Sequence, residues 1–140
     1  MNNDINDKTK NFDQLLQMVA DYTLTNRDED NSTLKDASYC LVDSLGCALE
    51  ALEYHACTKI LGPMFEETTT SMGSRIPGTN LILDPITAAF NIGTMIRWLD
   101  FNDTWLASEW GHPSDNLGGI LSVSDYLSQK RPKNDQLKMI

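Results

Sequence analysis

The sequence predicts an all-α fold: a helical domain of about four to five helices, with residues 1–140 forming a single domain. Three observations support this class. A chain of 140 residues can bury one modest hydrophobic core. Apolar residues recur at helical spacing over several stretches. Only residues 68–83 have the Thr-, Ser-, Gly- and Pro-rich composition that is typical of irregular or short-strand structure.

The first two helices are predicted from apolar stripes. Residues 11–24 carry such a stripe, and the polar residues 1–10 before it are expected to be disordered. A second helix is predicted over residues 34–54, with Ser32 or Thr33 as its N-cap. Gly46 lies inside this helix, and we expect it to allow close approach of a neighbouring helix. Residues 68–83 are expected to hold one short strand, around either 74–76 or 80–83.

The later helices have clearer boundaries. Asp84-Pro85 predicts the start of a helix over residues 84–100, because Asp caps a first turn and Pro fits inside it. This helix is apolar on most sides, which predicts a central position. A loop over residues 101–114 precedes a predicted helix at 116–129, capped by Ser114 or Asp115. Residues 134–140 predict the start of a fifth helix.

Charge and composition argue against nucleic acid as a partner, against a membrane span and against a targeting signal. Eleven basic against 20 acidic residues give a net charge of −9, which disfavours nucleic acid, since phosphate contacts need clustered cations. No apolar run is long enough to span a membrane. The polar, acidic N-terminus argues against a secretory signal and an Arg-rich presequence, so we expect a cytoplasmic protein.

The three cysteines show no metal-binding spacing. Cys40 and Cys47 lie seven residues apart on a predicted helix, about 10 Å along its axis, which is too far for a disulfide. We expect reduced, mostly buried thiols and no metal site.

The residues most suited to chemistry lie in one stretch, residues 97–119, which contains all three tryptophans and His112. Asp100 extends an apolar stripe of the third helix that includes Ile86 and Phe90, at the helix C-terminus. Burial and the helix dipole would both disfavour its charged form, as suits a group that holds or receives a proton. Alternatively, Asp100 is exposed or caps the following turn.

His112 is fixed between Gly111 and Pro113, and histidine is the usual proton carrier near neutral pH. The alternative is an ordinary surface histidine. The tryptophans are expected to wall the site and exclude water, with at least one purely structural. Gly118-Gly119 indicates either close helix packing, which we favour, or approach of a substrate carboxylate to the helix start.

Two motifs in this stretch carry a resemblance to a known family. They are Arg97-Trp98-Leu99-Asp100-Phe101-Asn102-Asp103-Thr104-Trp105 and Glu109-Trp110-Gly111-His112-Pro113-Ser114-Asp115-Asn116-Leu117-Gly118-Gly119. Supporting matches lie at residues 57–63 and 76–79. On these residues the chain resembles the MmgE/PrpD family over most of residues 39–130. The Glu109-Trp110-Gly111 run is similar to the family's 2-methylcitrate dehydratases and differs from its cis-aconitate decarboxylases.

The resemblance implies the N-terminal part of the family's helical domain, with a second domain lying outside this chain. It implies a hydro-lyase without metal or cofactor that converts 2-methylcitrate to 2-methyl-cis-aconitate in propionate breakdown, and a homodimer in the complete protein. Asp100 and His112 would be the catalytic acid and base, in an order left open. The implied substrate-binding residues are Thr104, Asp103, Trp105 and Ser114, although Asp103 and Thr104 also suit a plain turn.

An acidic chain should repel a tricarboxylate, so its cationic ligands are expected beyond residue 140. Two alternatives remain at this point. One is a decarboxylase or epimerase of a related polycarboxylate. The other is an inactive truncated remnant or helical interaction module.

Overall fold

The computed structural model describes residues 13–25, 31–66 and 70–130. The chain divides into two compact units, Met1–Leu34 and Lys35–Ile140, and each is described by itself. In the first unit, helix α1 spans Gln14–Leu24, and the Asp13 carboxylate caps it by accepting a hydrogen bond from the backbone N–H of Leu15. The predicted disorder at 1–10 and the predicted helix at 134–140 lie outside the described residues.

The remaining elements confirm a mostly helical fold with short strands. In chain order they are α2 (Asn31–Glu50), a 3-10 turn (Ala51–Glu53), α3 (His55–Thr58), β1 (Ser74–Arg75), β2 (Ile82–Leu83), α4 (Pro85–Arg97), β3 (Trp105–Leu106), β4 (Trp110–Gly111), a second 3-10 turn (Pro113–Asn116) and α5 (Leu117–Lys130). Helix α2 already contains Ser32 and Thr33, so their predicted capping role is wrong. No helix in the described ranges is long and apolar enough to cross a bilayer.

Helix α4 supplies much of the core, as its apolar sequence predicts. Asp84 caps it, accepting hydrogen bonds from the backbone N–H groups of Ile86 and Thr87 at 3.1 Å. The predicted apolar face is wrong, however, because Ile86 and Phe90 are 83% and 58% exposed. The buried core cluster instead comprises Ala48, Ala51, Cys57, Ile76, Leu83, Ala88, Ile92, Met95 and Ile96.

Both candidate strand positions in residues 68–83 form strands, and they pair with each other. Ser74 lies opposite Leu83 and Arg75 opposite Ile82 in an antiparallel pair. The pair is tied to helix α5, since Ser74 Oγ donates to the Ser122 carbonyl at 2.6 Å and Arg75 forms an ion pair with Asp125. These two contacts hold helix α5 beside the β1–β2 pair.

Helices α4 and α5 meet at a glycine. A Cβ atom added at Gly118 would lie 2.6 Å from the Ala89 carbonyl oxygen and 3.0 Å from the Gly93 nitrogen, both backbone atoms of α4. The expected close packing is thus confirmed for Gly118. Among the described residues, a Cβ at Gly119 or at Gly46 would meet nothing within 4 Å, so the packing role predicted for Gly46 is wrong.

The segment after α3 is held by one buried side chain of α4, Asn91. Its Oδ1 accepts from the backbone N–H of Gly62 at 2.7 Å, and its Nδ2 donates to the Gly62 carbonyl at 3.2 Å. The same Nδ2 donates to the Thr87 carbonyl one turn earlier at 2.7 Å. Gly62 has a φ of +134°, a conformation that only glycine adopts readily.

Candidate active site

The end of helix α4 places Asp100 differently from the prediction. The helix ends at Arg97, and Asp100 has a φ of +56°, in the left-handed region that Asp tolerates better than most residues. Its side chain is 71% exposed and forms an ion pair with Arg97. The predicted burial of Asp100 is therefore wrong, since the chain leaves the helical path three residues before it.

Arg97 is the centre of a polar network that joins α4 to the loop after it. Its guanidinium donates to Asn102 Oδ1 at 2.6 Å and pairs with the Asp115 carboxylate at 3.2 Å. Asn102 is buried and donates from Nδ2 to Ser114 Oγ at 2.8 Å. Because Ser114 is completely buried, this network fixes the start of the 3-10 turn that precedes α5.

His112 is positioned by Asp103. The His112 Nδ1 atom lies 2.6 Å from the Asp103 backbone carbonyl oxygen, which can only accept a hydrogen bond. The proton of the neutral ring therefore resides on Nδ1, and Nε2 carries the free lone pair. The Asp103 carboxylate accepts from the Ser114 N–H at 2.8 Å through Oδ2, so one residue contacts both neighbours of Pro113.

Asp100 and His112 are linked only indirectly, since no direct hydrogen bond joins them among the contacts of the described residues. The path from Asp100 to His112 runs through Arg97, Asn102, Ser114 and Asp103. Proton exchange between the two side chains would thus have to pass through the substrate or solvent.

The tryptophans only partly match their predicted role. Trp98 is half-buried and packs against the core, so it is structural. Trp105 and Trp110 lie on the β3–β4 pair within the predicted loop and are 67% and 70% exposed. In this chain they do not exclude water from the site. Trp110 contacts the His112 ring edge-on, with 5.8 Å between the ring centroids.

Thr104 is exposed beside Trp105, and neither hydrogen-bonds to the network around His112 among the contacts of the described residues. Of the four residues predicted to bind substrate, only Asp103 and Ser114 are thus part of that network. Both are largely engaged with protein groups.

Sequence reasoning missed a contact from helix α2. The Cys40 thiol donates to Asp103 Oδ2 with Sγ at 3.7 Å. Burial and the nearby Asp103 charge both raise the pKa of this thiol above its ordinary value of 9.0, so it remains protonated. Nothing in the spacing of the cysteines could indicate a partner 63 residues away.

Two cavities on the described surface are lined by residues other than His112 and Asp103. One, of about 270 Å³, lies against the start of α4 beside Met64, Phe65 and Ile86. The other, of about 410 Å³, lies between α2 and Phe101 and is lined by Asp43, Glu50 and Tyr54. In the parts of the chain that the structure describes, no three His, Cys, Asp or Glu side chains converge as metal ligands.

Comparison with known proteins agrees with the resemblance in these motifs. The 2-methylcitrate dehydratase of Escherichia coli (strain K12) is 55% identical over 129 residues, covering 92% of this chain and 27% of that protein. The 2-methylcitrate dehydratase of Salmonella typhimurium is 58% identical over 84% of this chain and 24% of its own length. The mitochondrial 2-methylcitrate dehydratase of Yarrowia lipolytica is 50% identical over 85% of this chain and 23% of its own length.

The chain spans about a quarter of the length of these curated relatives. The MmgE/PrpD N-terminal domain matches residues 13–140, which include the whole His112 network and the packed helices beneath it. The chain therefore belongs to the MmgE/PrpD family.

Proposed function

We propose that this chain forms the N-terminal part of the helical domain of a hydro-lyase that removes water from 2-methylcitrate to give 2-methyl-cis-aconitate. The observation that carries the proposal is the 55–58% identity to proteins named 2-methylcitrate dehydratase. This identity extends over the stretch that contains His112 and Asp103. A decarboxylase or epimerase of a related polycarboxylate is the second candidate, but the relatives compared above carry the dehydratase name.

The geometry supports His112 as the base. Dehydration requires removal of a carbon-bound proton and protonation of the departing hydroxyl. With Nδ1 donating to the Asp103 carbonyl, Nε2 is the ring atom that can accept a proton. The carbonyl also stabilises the imidazolium that forms, because Nδ1 keeps its proton in both states.

An acid role for Asp100 requires different surroundings from those in this chain. Its side chain is 71% exposed and forms an ion pair with Arg97. An acid in contact with substrate would need cover by further chain and release from this pair. We therefore propose His112 as the base, and Asp100 as the acid only in the complete protein.

The substrate's three carboxylates need cations, and Arg97, the cation in the described network around His112, is not free to supply one. Arg97 already faces the carboxylates of Asp100 and Asp115, and the chain carries a net charge of −9. We propose that residues beyond 140, including a second domain, supply the binding cations. A homodimeric assembly and a cytoplasmic location belong to the same proposal for the complete protein.

A chimaera tests the function directly. Residues 13–140 would replace the corresponding segment of the Escherichia coli relative, which the chain matches at 55% identity. We expect the folded chimaera to convert 2-methylcitrate to a product lighter by one water, detected by mass spectrometry. The 140-residue chain alone should show no turnover.

Two results would contradict the proposal. A folded chimaera that is inactive on 2-methylcitrate, or that releases carbon dioxide from a related polycarboxylate, would favour the second candidate. Robust turnover by the 140-residue chain alone would show that the required cations lie within it.

A further inference from the structure

Helix α2 carries two small polar side chains, Cys40 and Ser44, and Cys40 contacts the loop that holds His112. Cys40 and Ser44 are four residues apart and lie on the same face of the helix. Ser44 is completely buried, and Cys40 is half-buried. Neither is needed to form the helix, since Ser and Cys are both weaker helix formers than Ala.

The Cys40 thiol meets a carboxylate that has few other partners. Sγ lies 3.7 Å from Asp103 Oδ2. The other oxygen of this carboxylate, Oδ1, is buried without a hydrogen-bond partner among the residues that the structure describes. Because an unpaired buried polar atom is costly, each hydrogen bond that Asp103 does make matters to its position.

A second unpartnered atom lies beside the same thiol. Ser44 Oγ is buried and makes no hydrogen bond of full geometry, yet its hydroxyl is close enough to Cys40 to oppose the rise in the thiol pKa. The thiol therefore lies between the Ser44 hydroxyl of its own helix and the Asp103 carboxylate of the loop. Cys40 is thus the residue through which this face of α2 reaches the Asp103 carboxylate.

The position of Asp103 in turn determines the state of His112. The Asp103 carbonyl accepts from His112 Nδ1 at 2.6 Å, and its carboxylate accepts from Ser114 N at 2.8 Å. A displacement of Asp103 would release the ring from the Nδ1–H tautomer. A neutral histidine without such a partner exchanges between tautomers.

We propose that Cys40 of helix α2, supported by Ser44, is a positioning residue that holds Asp103 so that the neutral His112 ring keeps its proton on Nδ1. Its importance for catalysis rests on the proposed function, in which Nε2 of His112 is the base. The structural part concerns the ring alone and can be tested without turnover.

The test is nitrogen NMR of the 140-residue chain labelled with ¹⁵N-histidine, at a pH where the rings are neutral. The chain has two histidines, and the exposed His55 serves as an internal reference. In the unsubstituted chain we expect His112 to show a protonated Nδ1 and an unprotonated Nε2. Cys40→Ala should shift both His112 signals towards the averaged pattern of His55.

Two further variants separate positioning from general loss of stability. Cys57→Ala removes another buried thiol, one whose pKa is raised by burial alone and which has no contact with Asp103. It should leave the His112 pattern unchanged. Cys40→Ser keeps a hydrogen-bond donor at the same position and should preserve the Nδ1–H tautomer. This variant still tests the proposal if Cys40→Ala fails to fold.

The outcomes are distinct. An unchanged His112 pattern in folded Cys40→Ala, or loss of the Nδ1–H tautomer in folded Cys40→Ser, would overturn the proposal. A shift equally large in Cys57→Ala would also overturn it. An inactive chimaera together with the expected tautomer shift would refute the proposed function and leave the positioning role standing.

Discussion

Substituting Gly118 by alanine should separate helix α5 from helix α4. The added Cβ would lie 2.6 Å from the Ala89 carbonyl oxygen and 3.2 Å from the Gly93 Cα. The closer distance is roughly 0.8 Å short of an ordinary contact. Because the opposing atoms belong to the α4 backbone, no side chain can rotate to relieve the clash.

The size of the effect follows from comparison with the neighbouring glycine. Alanine gains about 1 kcal/mol over glycine inside a helix, and this gain applies to both positions. Gly119 has open space around its Cβ position, so Gly119→Ala should stabilise the fold by up to about 1 kcal/mol. Overpacking costs about 1–3 kcal/mol, and a rigid backbone contact belongs at the upper end. The two variants should thus differ in free energy of unfolding by about 2 kcal/mol or more.

Urea unfolding followed by circular dichroism measures this difference. With a denaturant dependence of about 2 kcal/mol per molar urea, the two midpoints should differ by about 1 M, Gly118→Ala being the lower. Equal midpoints would refute the reasoning, because they would show that α5 can move away from α4 without cost.

Three other predictions concern the polar contacts. Partial burial raises the pKa of Asp125, but the hydrogen bonds and charge of Arg75 outweigh it and hold this pKa below 3.8. Asp125→Asn should therefore lower the free energy of unfolding above pH 3.8. In acid-unfolding curves, the difference in free energy between the variant and the unsubstituted chain should shrink as the pH falls further. A difference that stays constant with pH would show that ionisation of Asp125 does not contribute to stability. Ser114→Ala leaves the buried Asn102 amide without its acceptor and should lower the free energy of unfolding by about 1–3 kcal/mol in urea titrations, whereas no change would mean that the amide finds another partner. In the chimaera, His112→Ala should lower kcat by at least about 10²-fold with a smaller effect on KM; a normal kcat with a raised KM would show that the imidazole only anchors substrate.

Local sequence signals predicted the helical elements well where they were strong. Asp84-Pro85 indicates a helix start from capping chemistry alone, and helix α4 begins there. The predicted helix at 116–129 corresponds to α5 within one residue at each end. Each of these signals depends on a few neighbouring residues, so the rest of the fold is not needed to interpret it.

The identity of the buried face of α4 and the exposure of Asp100 could not be predicted from such local signals. A helix that is apolar on most sides does not reveal which side the rest of the chain covers. The sequence therefore could not show that Ile86 and Phe90 lie on an exposed side of the helix. Where the backbone leaves helical geometry before Asp100, Arg97 contacts Asn102 and Asp115, two residues that lie outside the helix.

The sequence predicts His112 and Asp103 as site residues from motif and residue type, but it does not predict the contact between them. The ring tautomer is set by a contact with the Asp103 backbone carbonyl, and a pattern of side chains does not predict a backbone contact. The Cys40 contact joins residues 63 positions apart and depends on how α2 packs beside the loop.

The amide of Asn91 has a consequence for which substitutions the fold can accept. It binds the N–H and the carbonyl of Gly62, so it contacts main-chain atoms and no side chain. The side chains next to Gly62 can therefore change without loss of these two hydrogen bonds. Gly62 itself is constrained by its φ of +134°, and Asn91 by the need for a donor and an acceptor on one planar group. Asn91 and Gly62, 29 positions apart, are thus linked through main-chain hydrogen bonds, and a substitution of Asn91 still leaves Gly62 constrained by its own backbone conformation.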